Sequence, residues 1–115
     1  MNDYETMMDR PLFYRMDGSP YPGTSHEQTL AWAKDFEDRA NNGGFVAQET
    51  LPNGIYISTI WMGLDHNYGA GRPLIFETMV FGAKAGKDLD QDRYASLEEA
   101  KAGHAAMVKK YKAKS

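Results

Sequence analysis

The chain has 115 residues, 42% of them hydrophobic, 12% aromatic and 25% charged, with a formal net charge of -3 and no cysteine. That length suits a single domain able to bury a core without cross-links, and the missing cysteine removes disulfides, thiolate metal sites and cysteine nucleophiles. The mild acidity argues against a dedicated nucleic-acid binder, which concentrates Lys and Arg, and is too slight for an acidic mimic of DNA.

No apolar run reaches the length of a membrane span. The opening MNDYETMMDR is polar and acidic, where a secretory leader would be basic and then apolar, so the expected location is the cytoplasm. Residues 1–10 read as a flexible N-terminus, 11–112 as one α+β domain and 113–115 as a flexible C-terminus. Leu12 to Met16 has the character of a short strand, stopped by Asp17-Gly18 and the prolines behind it.

A first helix is expected after Thr24, because Thr24 and Glu27 have the spacing of a capping box. Leu30, Ala33, Phe36 and Ala40 recur at helical spacing, Trp32 widens that face, and Asn41-Asn42-Gly43-Gly44 ends it. Phe45 to Leu51 and Ile55 to Met62 then form a hairpin around Pro52-Asn53-Gly54, where Asn-Gly favours a type I′ turn. Leu74 to Phe81 is a third strand; this strand and the one before it are apolar on both faces, as in central or doubly covered strands. Gly82 to Asp92 reads as a polar connection, with Arg93-Tyr94-Ala95 a short edge strand. A last helix starts at Ser96, Glu99 completing a second capping box, with Leu97, Ala100, His104, Met107, Val108 and Tyr111 on one face. The expected fold is therefore α+β: a three- to five-stranded, mainly antiparallel sheet packed against two helices in the order β-α-β-β-β-(β)-α.

Chemistry is concentrated in the loop from Gly63 to Pro73. It is longer than a hairpin needs, and its three glycines permit close approach of a ligand to backbone. Asp65, His66, Asn67, Tyr68 and Arg72 supply almost every kind of polar group. With Trp61 and Glu77 they make the candidate binding set. Four readings compete with a purely structural one. Asp65, His66 and Glu77, with His104, could ligate a metal, but no recognisable ligand spacing supports this. His66 could be a general base, although adjacent Asp65 points away on extended backbone. Gly69-Ala70-Gly71-Arg72 could hold an anion, but it runs into a strand and not a helix. Tyr68, Arg72, Trp61 and Met62 could anchor a protein partner. Against all four, Asp65 and Asn67 could bond their own backbone, and Arg72 could pair with Glu77 or an Asp. Glu77, in an otherwise apolar strand, is either solvent-facing or a buried partner of Arg72, His66 or a ligand. His104 reads as a core histidine, with Gly103 beside it kept for close packing.

The run STIWMGLDHNYGAGRPLIFETMVF, Ser58 to Phe81, resembles an uncharacterised family of small proteins from bacteriophages, prophages and actinobacterial genomes. The resemblance extends loosely to Tyr14–Pro20, to Arg93–Ala100 and to Gly103-His104. It implies no activity and no cofactor. It points at Asp65, His66 and Glu77 more than at Arg72, and its phage context implies a small accessory binding protein acting in a host cytoplasm. The expectation is a noncatalytic protein that recognises a macromolecule or small ligand through the 63–73 loop, without cofactor, metal, nucleic acid or membrane. The alternatives are a small enzyme or metal-dependent hydrolase centred on Asp65, His66 and Glu77, and a virion-associated structural protein.

Overall fold

The computed structural model describes residues 11–67, 71–84 and 87–113; the expected flexible N-terminus, residues 114 and 115, and Tyr68 lie outside them. Helix α1, Ser25–Asn41, begins where capping chemistry places it. The Thr24 hydroxyl accepts from the Glu27 N–H at 3.2 Å, and the Glu27 carboxylate accepts from the Thr24 N–H at 3.0 Å. Strands β1 (Phe45–Thr50), β2 (Tyr56–Trp61), β3 (Phe76–Phe81) and β4 (Asp88–Tyr94) follow, then helix α2 (Leu97–Lys112). The strands pair antiparallel in the order β1-β2-β3-β4. The fold is α+β, as expected, with the element order α-β-β-β-β-α.

Two elements differ from expectation. Leu12–Met16 is no sheet strand. It makes two isolated bridges, Phe13 to Leu64 and Tyr14 to Pro20, because the Asp17-Gly18 turn folds it back on itself alongside the loop. Conversely, Asp88–Tyr94 is a full seven-residue strand although three aspartates occupy its alternate positions. Aspartate disfavours strands, but β4 is an edge, where charge is tolerated and blocks further pairing. Asp90 is held by Lys110 at 2.6 Å and the Tyr111 hydroxyl at 3.0 Å, so α2 clamps this edge; the Lys110 ammonium keeps the Asp90 carboxyl below the usual range.

The hairpin forms by a different turn. Gly54 N–H donates to Leu51 O at 2.9 Å and Leu51 N–H to Ile55 O at 2.8 Å, with Gly54 at φ 86°. This is a three-residue loop ending in a left-handed glycine, not a type I′ turn. Pro52 sets a negative φ at the first central position and directs the chain to it. The second capping box is also rearranged. Ser96 caps Glu99 N–H at 3.1 Å, but the Glu99 carboxylate takes the Ser96 hydroxyl at 3.0 Å and an ion pair with Arg72.

Alternation along β2 and β3 separates two faces. Ile57, Thr59, Trp61, Phe76, Thr78 and Val80 are buried, and their neighbours are half-exposed. Helix α2 lies on the buried side, placing Ala100, His104, Met107, Val108 and Tyr111 inside. Phe76, Ile57, Ile75 and Val80 are fully enclosed there, each contributing roughly 1.5–3 kcal/mol by leaving water. Only one face is covered by described residues, so the apolar character of both faces reflects central strands and not a doubly covered sheet. Helix α1 does not lie on the sheet. It buries no residue, and Leu30 and Phe36 of its expected inner face are 57% and 38% exposed. It docks instead at the Trp61 end through Ala31 and Trp32, whose ring lies 4.9 Å from Phe13 and 5.4 Å from Phe36.

Candidate functional site

The loop after β2 is tied down by its backbone. Tyr14 N–H donates to Gly63 O at 2.7 Å, Asp65 N–H to Leu12 O at 2.9 Å and His66 N–H to Leu74 O at 3.0 Å. Gly63 sits at φ 73°, and a Cβ there would fall 2.5 Å from the Trp32 ring and 2.7 Å from Trp61. Glycine is needed because two tryptophans close on that backbone. Trp61 donates its indole N–H to Tyr14 O at 3.1 Å and Trp32 to Met62 O at 2.7 Å, so both rings fasten this junction.

Asp65 is 2% exposed, and its carboxylate accepts the N–H groups of Asn67 at 2.7 Å and Leu74 at 3.1 Å. One buried carboxylate thus joins the two ends of the loop. Asn67 spans it again, donating from its side-chain amide to Arg72 O at 2.9 Å. Arg72 reaches Glu99 at 2.6 Å across open solvent, and this guanidinium holds the Glu99 carboxyl below its usual range. Glu77 leaves the loop altogether: it lies on the uncovered face of β3 and pairs with Arg93 of β4 at 3.0 Å. Asp65, Arg72 and Glu77 therefore engage separate partners. His66 is half-buried at the start of the loop, and Tyr68 lies outside the described residues. No group of three potential metal ligands occurs among the described residues.

Two further features were not singled out as sites by the sequence. The first is a polar seam under α2. Thr59 and Thr78, cross-strand neighbours, share a hydroxyl contact of 2.5 Å, and Thr59 meets His104 Nδ1 at 2.7 Å. His104 Nε2 and the Tyr94 hydroxyl are buried without a hydrogen-bond partner among the described residues. Burial lowers the His104 pKa, with Glu49 opposing, and raises that of Tyr94; the nearby Thr78 hydroxyl opposes the latter without forming a hydrogen bond. The signal was the Gly103-His104 pair. A Cβ on Gly103 would lie 2.2 Å from the Tyr94 ring, so its expected packing role is borne out.

The second is a cleft of about 230 Å³ at the end of the sheet, lined by Phe36, Arg39, Ala40, Phe45, Ile60 and Trp61. Phe36 packs 6.4 Å from Trp61, and the Arg39 guanidinium lies 5.9 Å over the same ring while contacting the Met16 sulfur. Past Arg39 the surface opens into a polar hollow bordered by Asp17, Tyr21, Asp35 and Asp38. The Tyr21 hydroxyl donates to Asp35 at 2.7 Å, and burial with that carboxylate raises its pKa. Helical spacing made Phe36 look like core, and only the docking of α1 across the sheet end leaves it beside Phe45. No helix among the described residues is long and apolar enough to cross a membrane. Comparison of the chain with known protein families, curated proteins and solved structures gives no match.

Proposed function

We propose that the protein is a small noncatalytic accessory protein that recognises a macromolecular partner, and that the cleft at the end of the sheet receives an apolar side chain of that partner. The observation that carries this reading is the convergence there of exposed Phe36 and Phe45 with Ile60, Trp61 and a guanidinium stacked on the indole. Aromatic residues and arginine in a concave apolar setting are the usual anchors of binding energy. The volume, about 230 Å³, falls below the roughly 300–1,000 Å³ of small-molecule pockets, which favours a single inserted side chain. Asp65 and Glu77 are each committed to structural partners, so catalysis by them with His66 has less support. The resemblance to phage and prophage proteins favours a role in modulating host machinery or host defence.

The reading is tested by partner capture on immobilised protein, with Phe45→Glu to spoil the cleft and Arg72→Ala to change the loop surface. Capture should be lost with Phe45→Glu and kept with Arg72→Ala, both variants retaining the wild-type melt. The opposite pattern would move recognition to the 63–73 loop and overturn the cleft.

A further inference from the structure

The chain contains two Asn-Gly pairs, Asn42-Gly43 after α1 and Asn53-Gly54 in the β1–β2 hairpin. This dipeptide is prone to self-modification, because a following glycine leaves the backbone nitrogen unshielded and the backbone free to turn. That nitrogen attacks the asparagine side-chain carbonyl carbon and closes a succinimide ring. The side-chain nitrogen leaves as ammonia, carrying off the proton of the attacking N–H. Water then opens the ring at one carbonyl to give aspartate, or at the other to give isoaspartate, in which the chain runs through the side chain. Either product adds a negative charge.

The reacting dipeptide is the same at both pairs, so the folded structure decides between them. The Gly54 N–H, the nucleophile, donates to Leu51 O at 2.9 Å, and Asn53 Oδ1, on the carbon to be attacked, accepts from the Ile55 N–H at 3.1 Å. This turn is also covered: a Cβ at Gly54 would lie 2.9 Å from Ala83, and Asn53 is half-buried. At the other pair, the Gly43 N–H has no hydrogen-bond partner among the described residues. Asn42 and Gly43 are exposed, and nothing lies within 4 Å of the place a Gly43 Cβ would occupy. Only the leaving amide is held, by Asp38 O at 2.7 Å, and it is held at a helix end, where structure frays most readily.

We infer that Asn42-Gly43 is a site of spontaneous deamidation in the folded protein, and that Asn53-Gly54 is shielded from the same reaction. The product places a carboxylate at the C-terminal, negative end of the α1 dipole, one turn beyond Asp38. It also removes the Asn42 amide that donates to Asp38 O. In the isoaspartyl form it lengthens the chain that leads through Gly43 and Gly44 to Phe45, all three of which line the cleft. The reaction does not depend on what the cleft receives.

The test is incubation of the full chain in mildly alkaline buffer, native and in urea, followed by peptide mapping by mass spectrometry. In urea both pairs should lose their amides at similar rates. In native buffer position 42 should react at least roughly fivefold faster than position 53, the factor set by one additional hydrogen bond to be broken. Asn42→Ser should abolish the acidic species that ion exchange resolves in aged native protein, while Asn53→Ser leaves them. Asn42→Asp should melt below Asn42→Ser, the gap closing in high salt as the helix-end charge is screened. Equal native rates, faster loss at 53, or an Asn42 that stays intact natively while reacting in urea would each overturn the inference. Equal melts of Asn42→Asp and Asn42→Ser at low salt would overturn its effect on α1. Should a serine variant unfold, mapping of the wild type decides the site alone.

Discussion

Gly103→Ala sets helix propensity directly against packing. In a helix interior alanine is favoured over glycine by about 1 kcal/mol, so local chemistry alone forecasts a more stable protein. The structure forecasts the reverse. The added Cβ would fall 2.2 Å from Tyr94 Cε1 and 2.3 Å from Cζ and the hydroxyl, where carbon atoms rest about 3.5–4.0 Å apart. Either the ring or the helix must retreat by more than ~1 Å. The ring is not free to do so: Tyr94 is 8% exposed, packs in the cluster with Phe76 and Ala100, and accepts Ile75 N–H at 3.0 Å through its backbone. Overpacking of this kind costs about 1–3 kcal/mol or more. The net change is a destabilisation of up to about 2 kcal/mol, or a melting temperature lower by up to roughly 10 °C in a domain of this size. Thermal and urea unfolding of Gly103→Ala should be compared with Ala102→Gly, an exposed neighbour on the same helix. Propensity predicts opposite signs for the two; packing predicts that both destabilise. Tyr94→Leu, which removes the ring tip, should shrink the Gly103→Ala penalty in a double-mutant cycle. A Gly103→Ala protein more stable than wild type would refute the reasoning.

Two further outcomes test the buried polar groups. The folded-state pKa of His104 is depressed below its ordinary 6.5 by burial, so the unfolded chain binds the extra proton first. This contribution to stability is complete above about pH 6.5, declines as pH falls toward the folded value and levels off below it. Urea midpoints between roughly pH 8 and 5 should show that decline, and it should flatten in His104→Gln; an unchanged slope would remove His104 as its source. Asp65→Ala strands the two N–H groups that the carboxylate accepts at 2.7 and 3.1 Å, a loss of about 2–4 kcal/mol by denaturant unfolding. Arg72→Ala breaks an ion pair exposed on both sides and should leave the midpoint near wild type. Equal effects would refute the structural role of Asp65.

The sequence alone determined what is local. The Thr24–Glu27 cap, the helical spacing in both helices and the apolar runs that form β2 and β3 depend on neighbours a few residues away, so their chemistry is legible in one dimension. The packing role of Gly103 and the core position of His104 were also readable, since a glycine and a histidine on an apolar helical face need a reason. Partners were decided only by the tertiary structure. Glu77 could have met Arg72, His66 or solvent, and it met Arg93 because the register of β3 against β4 sets them opposite each other. An aspartate-rich segment became a strand because β3 offered an edge and α2 supplied Lys110. Residues chosen for the loop's apparent chemistry proved to include a carboxylate that binds the loop together. An apolar cleft arose from Phe36, read as part of a helix's inner face, and Phe45, read as the start of a strand across a glycine turn. Capping and periodicity are short-range, whereas strand register and helix docking follow from contacts between distant segments that a linear pattern does not encode.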